Sequence, residues 1–118
     1  MHTKNKGGKI MKIQLLEEFD FDEKVLDSKG IVVVKMYGAW CGPCKMLASI
    51  LSQMPDMPGL TVYDMDVDKN ITLCKQFGVM SVPTLLFFKD GAYLDKVVGF
   101  RSQSQLTELF ETYLQSGK

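Results

Sequence analysis

Residues 31–37, Ile-Val-Val-Val-Lys-Met-Tyr, form an almost unbroken β-branched and apolar run that stops at Gly38. β-Branched side chains are stiff at χ1 and favour extended backbone. A run without polar alternation has to be covered on both faces, which places it in the middle of a sheet with helices above and below. One lysine, Lys35, interrupts it. An unpaired charge inside such a strand costs several kcal/mol or more, so Lys35 needs a counter-charge or an edge to which its ammonium can snorkel. Asp64 is the first candidate partner and Asp66 the second.

The remaining segments supply what a central strand requires. Ile10 to Leu15 reads as a short strand, and the acidic amphipathic stretch from Phe19 to Ser28, ending at Gly30, as a helix with a solvated acidic face. After Cys44, the apolar positions Leu47, Ile50, Leu51 and Met54 recur at helical spacing until Pro55 and Pro58. Leu60 to Val67 alternates as a third strand. Asn70 to Phe77 reads as a short helix with an asparagine cap, closed by Gly78. Thr84–Lys89, Asp90-Gly91 and Ala92–Val98 make the strongest hairpin signal in the chain. Ser102 to Leu114 carries Leu106, Leu109, Phe110 and Tyr113 on one side of a last helix. Right-handed parallel crossovers followed by an antiparallel hairpin give an α/β fold, a mixed β-sheet with helices on both faces.

At 118 residues, the chain suits one domain, expected from Ile10 to the end (10–118). Residues 1–9, with His2, Lys4, Asn5 and Lys6 before Gly7 and Gly8, are expected to be a flexible tail. Fourteen basic against fourteen acidic residues give no net charge, which removes the electrostatic reason to expect a nucleic-acid partner. No apolar run approaches the roughly 20 residues that span a bilayer, and the basic N-terminus lacks the apolar core of a secretory signal. Three cysteines, Cys41, Cys44 and Cys74, are too few and odd in number for a disulfide scaffold. A reducing, cytoplasmic location and a monomer are the default expectations.

The chemistry concentrates in Trp40-Cys41-Gly42-Pro43-Cys44-Lys45, between the central strand and the next helix. Unpaired N–H groups and the positive dipole end of a helix favour a thiolate, so Cys41 reads as the nucleophile, exposed to solvent. Cys44, three residues on, can displace a product bound to Cys41 and reads as the resolving thiol. Gly42 permits a tight turn, Pro43 is tolerated in a first helical turn, and Lys45 adds a nearby positive charge. Half of a zinc site is the competing reading, with only Cys74 and His2 left as ligands. A cysteine protease would need a histidine base inside the domain, and the only histidine is His2. Cys74 reads as a small buried residue, and Met36, Met46, Met54, Met57 and Met65 for the most part as core fillers.

Together with Ser81-Val82-Pro83-Thr84 about forty residues later, this motif resembles the thioredoxin family, from about Ile10 to Leu114. The resemblance implies protein-disulfide reduction by dithiol–disulfide exchange, with no bound cofactor beyond the Cys41–Cys44 redox pair. Electrons would come from NADPH through a thioredoxin reductase, and disulfide-containing proteins would be the substrates. It implies a cis Val82–Pro83 bond and an apolar substrate surface of Trp40, Gly42, Pro43, Met80, Ser81, Val82, Gly99 and Phe100. Two departures stand out. Lys35 occupies a position where the family usually has a buried aspartate, and Asp64 one where it tends to have lysine, so the pair is exchanged; Asp64, or a neutral Lys35, would relay the Cys44 proton. Ser49 replaces a helix-kinking proline. An oxidase or isomerase, and a binding module with incidental thiols, are the alternatives.

Overall fold

The computed structural model describes residues 9–116. His2 and most of the expected tail lie outside the described residues.

Five strands form one sheet in the order β1-β3-β2-β4-β5: β1 Ile13–Leu15, β2 Ile31–Tyr37, β3 Leu60–Asp66, β4 Thr84–Lys89 and β5 Ala92–Val98. β3 runs parallel to β1 and β2, whereas β4 is antiparallel to both β2 and β5. β2 is central, and its first six residues are buried. Period-2 alternation divides it. Ile31 and Val33 face a core with Leu47 and Leu51 of α1 (Gly42–Leu51) and Leu106 and Phe110 of α3 (Gln103–Ser116). Val32, Val34 and Met36 face the opposite core, with Leu73 of α2 (Ile71–Gln76), Phe21, Val25 and Phe88. Each fully buried leucine or phenylalanine contributes about 1.5–3 kcal/mol of transfer free energy, so both layers of the α/β fold are held by the same strand.

The hairpin turn falls on Asp90 (φ 48) and Gly91 (φ 86), the paired positive φ values of a two-residue type I′ connection. Asp90 also fastens the hairpin to β2. Its N–H donates to the Gly30 carbonyl (3.0 Å), and its carboxylate accepts from the Gly30 N–H (2.8 Å). α3 begins on a reciprocal cap, with Ser102 Oγ accepting from Gln105 N–H and Gln105 Oε1 from Ser102 N–H.

Three expectations need correction. The helix foreseen over Phe19–Ser28 is instead a 3₁₀ turn, Glu18–Asp20, followed by a single π-helical stretch, Asp22–Leu26. Phe21 and Val25 turn into the core while Phe19 remains exposed, so the segment follows the core it packs against rather than one amphipathic helix. Asn70 does not cap α2 through its side chain, because its amide donates to the Asp66 carbonyl at 2.8 Å instead. Met46 is exposed rather than a core filler, since its side of α1 faces solvent.

Candidate active site

Cys41 stands at the N-cap of α1 in extended backbone (φ −98, ψ 113), where β2 has ended and the helix has not begun. Its sulfur accepts from the Cys44 N–H at 3.2 Å, one of the helix's unpaired donors. Pro43 occupies the first turn, where a missing N–H removes no hydrogen bond. The Cys41 and Cys44 sulfurs are joined as a disulfide, with Cα atoms 5.2 Å apart. A three-residue spacing across the helix start brings the two sulfurs together.

The expected exposure of Cys41 is not met: the residue is 5% accessible in this disulfide form. Its sulfur is tucked into the ring with Cys44, and the Val82 carbonyl oxygen lies 3.8 Å away on the other side. Nor does Gly42 serve a tight turn. It is absent from the glycines with positive φ, and a Cβ there would meet open space.

Around that rim the structure gathers Trp40 (68% exposed), Pro43, Met80 (92% exposed), Ser81 and Phe100 as exposed positions, with Val82 and Gly99 partly buried. The Val82–Pro83 peptide is cis. The Pro83 carbonyl accepts from Gly99 N–H at 2.8 Å, which ties the two loops into one surface. A cleft of about 130 Å³ opens between Trp40, Val67, Val79 and Met80.

Two residues that position Trp40 escaped the sequence reading. The indole N–H donates to Asp68 Oδ2 at 3.0 Å, and the ring lies against Gly38, where a Cβ would come within 2.7 Å of it. Gly38 is therefore the floor beneath the indole as well as the end of β2. Asp68 follows β3, and no local spacing links it to a tryptophan 28 residues earlier.

Lys35 and Asp64 meet. They are register partners on β2 and β3, on the face of the sheet that α1 covers, with Lys35 Nζ 3.1 Å from Asp64 Oδ1. Lys35 is 2% exposed and the Asp64 side chain 29%, so the carboxylate is the member that reaches toward solvent. Among the described residues, Asp64 Oδ1 has no hydrogen-bond partner beyond this ion pair. The Tyr37 ring centroid lies 5.8 Å from the ammonium. Desolvation raises the Asp64 pKa above the ordinary carboxylate value, and the attraction of Lys35 offsets it only in part. Lys35, Asp64, Tyr37, Ala48 and Cys44 line one cavity of about 280 Å³. A larger cavity, about 330 Å³, lies between the Met54–Pro58 segment and α3 and includes neither cysteine of the pair.

Cys74, expected to be buried, is free and partly buried on α2, packed against the core on that side of the sheet. Burial, then Asp68 and Asp66, push its thiol pKa up, which disfavours the reactive thiolate. Among the described residues, no three His, Cys, Asp or Glu side chains converge on a metal position, and no helix is long and apolar enough to cross a membrane.

Comparison with known proteins agrees with this geometry. Residues 12–112 match the family model described as Thioredoxin. The thioredoxin of Staphylococcus aureus strain Mu50 is 41% identical over 106 residues, covering 88% of this chain and all of that protein. Among solved structures, a mutant thioredoxin from Halobacterium salinarum NRC-1 superposes with a TM-score of 0.79 at 30% identity, covering 92% of this chain and 95% of that one. The Malassezia sympodialis thioredoxin Mala s 13 gives 0.77 at 29% identity, covering 89% and 93%.

Proposed function

Because the chain belongs to the thioredoxin family and is a protein thiol–disulfide oxidoreductase acting through Cys41 and Cys44, we propose a division of labour between the two thiols and the residues around them. Cys41, as thiolate, attacks one sulfur of a substrate disulfide. A Cys41–substrate disulfide forms, and the other substrate sulfur leaves as a thiolate that takes up a proton. Cys44 then loses its proton, and its thiolate attacks the Cys41 sulfur. The intramolecular disulfide closes, and the second substrate sulfur departs. That sulfur leaves as a thiolate and is protonated in turn, so the substrate has gained two electrons from the two protein sulfurs and two protons, one matching the proton lost by Cys44 and one from solvent, into which Cys41 released its own on ionising.

One observation carries the assignment: the Cys41 sulfur accepts the Cys44 N–H at the start of α1, so negative charge on that sulfur is stabilised by the helix end. Trp40, Gly42, Pro43, Met80, Ser81, Val82, Pro83, Gly99 and Phe100 form the docking surface in this reading, with the apolar rim accepting an extended peptide beside the sulfurs. Lys35 and Asp64 handle the Cys44 proton. They share its cavity, and a carboxylate with a raised pKa is a better base for a thiol than an ordinary one. Asp64, the member nearer solvent, passes the proton out.

Electrons return from NADPH through a flavoprotein thioredoxin reductase, and disulfide-containing proteins are the substrates. The protein thus serves electron transport and redox homeostasis in the cytoplasm, a setting consistent with its sparse cysteines. The test is trapping during insulin reduction. Cys44→Ser should accumulate a covalent complex through Cys41 that dithiothreitol releases, whereas Cys41→Ser should form none. A complex formed through Cys44 in Cys41→Ser, at the same rate, would reverse the roles.

A further inference from the structure

The turn leading from α2 to Met80 is closed from two sides. Along its own chain, Val79 N–H donates to the Cys74 carbonyl (2.8 Å) and Gly78 N–H to the Lys75 carbonyl (3.3 Å), with Gly78 at φ 64. This is the paired closure of a helix that ends on a left-handed glycine. From outside, Lys96 on β5 takes two later carbonyls: its Nζ donates to Phe77 O at 3.2 Å and to Gly78 O at 2.7 Å.

Lys96 reaches them because of the sheet. It is the register partner of Leu86 on β4, which belongs to the core on the α2 side, and cross-strand partners project from the same face. Its ammonium is packed against the turn, since a Cβ at Gly78 would lie 2.8 Å from Nζ. A cation at this end of α2 also complements the negative end of the helix dipole. Downstream, Thr84 Oγ1 donates to the Ser81 carbonyl at 2.7 Å, and Gly99 N–H to the Pro83 carbonyl at 2.8 Å. The segment that presents Met80, Ser81 and Val82 is therefore held behind by Lys96 and ahead by Thr84 and Gly99.

We propose that Lys96 is a positioning residue for substrate recognition, its two hydrogen bonds to Phe77 and Gly78 setting the place of the Met80–Val82 segment beside Cys41. This rests on the reading of that segment as part of the docking surface. Lys96 touches neither cysteine, so its influence falls first on binding of a protein substrate.

The experiment compares KM and kcat for insulin with the rate on a small aromatic disulfide, which needs no docking surface. Lys96→Met keeps the aliphatic stem and removes the donor. It should raise KM for insulin about five-fold, the effect of losing two hydrogen bonds worth about two-fold each, with kcat and the small-disulfide rate unchanged. Lys96→Arg, which keeps charge and donors, should restore most of the loss. If Lys96→Met does not fold, Lys96→Gln takes its place under the same criteria. Met80→Asp is the control for the surface itself. If it raises KM while the Lys96 variants do not, the role of Lys96 is overturned and the docking surface stands. If Met80→Asp leaves KM unchanged, the docking reading falls and this inference with it. Equal losses on insulin and the small disulfide would also overturn it.

Discussion

Lys35 Nζ lies 3.1 Å from Asp64 Oδ1 across two parallel strands, with the ammonium sealed in and the carboxylate partly open to solvent. The two members are unequal in consequence. Removing Asp64 strands a charge in the core, whereas removing Lys35 leaves a carboxylate that water can reach. Asp64→Ala should therefore destabilise the protein by about 3 kcal/mol and Lys35→Met by about 1 kcal/mol, with the double variant close to Lys35→Met alone. Urea unfolding of the four proteins measures the coupling. Purely additive effects would show that the two charges act independently.

The same carboxyl makes stability depend on pH. Its folded pKa is raised above the ordinary 3.8, so the folded protein holds that proton more tightly than the unfolded chain. The resulting stabilisation is fully present below the unfolded value and lost as pH rises through the folded one. Relative to Asp64→Asn, the wild type should lose stability as pH climbs from 3.8 into the weakly acidic range. An unchanged difference across that window contradicts the raised value.

Trp40 is oriented by Asp68, whose carboxylate receives the indole N–H at 3.0 Å. Asp68→Ala should free the ring to leave Gly38. Loss of one exposed charge-assisted hydrogen bond, about 1 kcal/mol, corresponds to about a five-fold rise in KM for a protein disulfide. Trp40 is the only tryptophan, so its fluorescence anisotropy reports the motion directly and should fall in the variant.

Tyr113 stacks on Phe87 with centroids 4.2 Å apart and donates its hydroxyl to Asp95 at 3.0 Å. Burial first, then the Asp95 hydrogen bond and charge, push its pKa up to about 12. The stabilisation this represents is complete below pH 10, the ordinary phenol value, and disappears as pH rises through about 12. Ultraviolet titration should find one phenol ionising near that value, and Tyr113→Phe should remove it at a cost of about 1 kcal/mol in stability near neutral pH.

Gly91 combines a left-handed backbone (φ 86) with close approach to the backbone at Leu26: a Cβ there would run into the Leu26 carbonyl oxygen. Gly91→Ala meets both penalties and should cost more than about 2 kcal/mol, visible as a lower thermal midpoint. Gly42→Ala, with open space around its α-carbon and no positive φ, should leave that midpoint nearly unchanged.

Sequence periodicity sufficed where one segment's own pattern decides its structure. The unbroken run at β2, the Asp-Gly turn between β4 and β5 and the apolar spacing of α1 and α3 each carry their period within a few residues. Cys41-Gly42-Pro43-Cys44 is legible for the same reason, because its chemistry is set by a short stretch of backbone and the start of one helix. The irregular Glu18–Leu26 segment was not legible: its composition suits a helix, but the positions of Phe21 and Val25 are dictated by the core they enter.

What the chain by itself determined is the α/β plan, the paired thiols and the need of Lys35 for a counter-charge. Only the tertiary structure decided that Asp64 answers Lys35 at hydrogen-bond distance, that Asp68 and Gly38 hold Trp40, that Cys41 sits beneath the surface, and that Lys96 closes the turn before Met80. Each of these depends on parts of the chain that the fold brings together. Such a contact leaves no trace in local spacing, because the register of the sheet and the packing of helices on it set the distance between the partners.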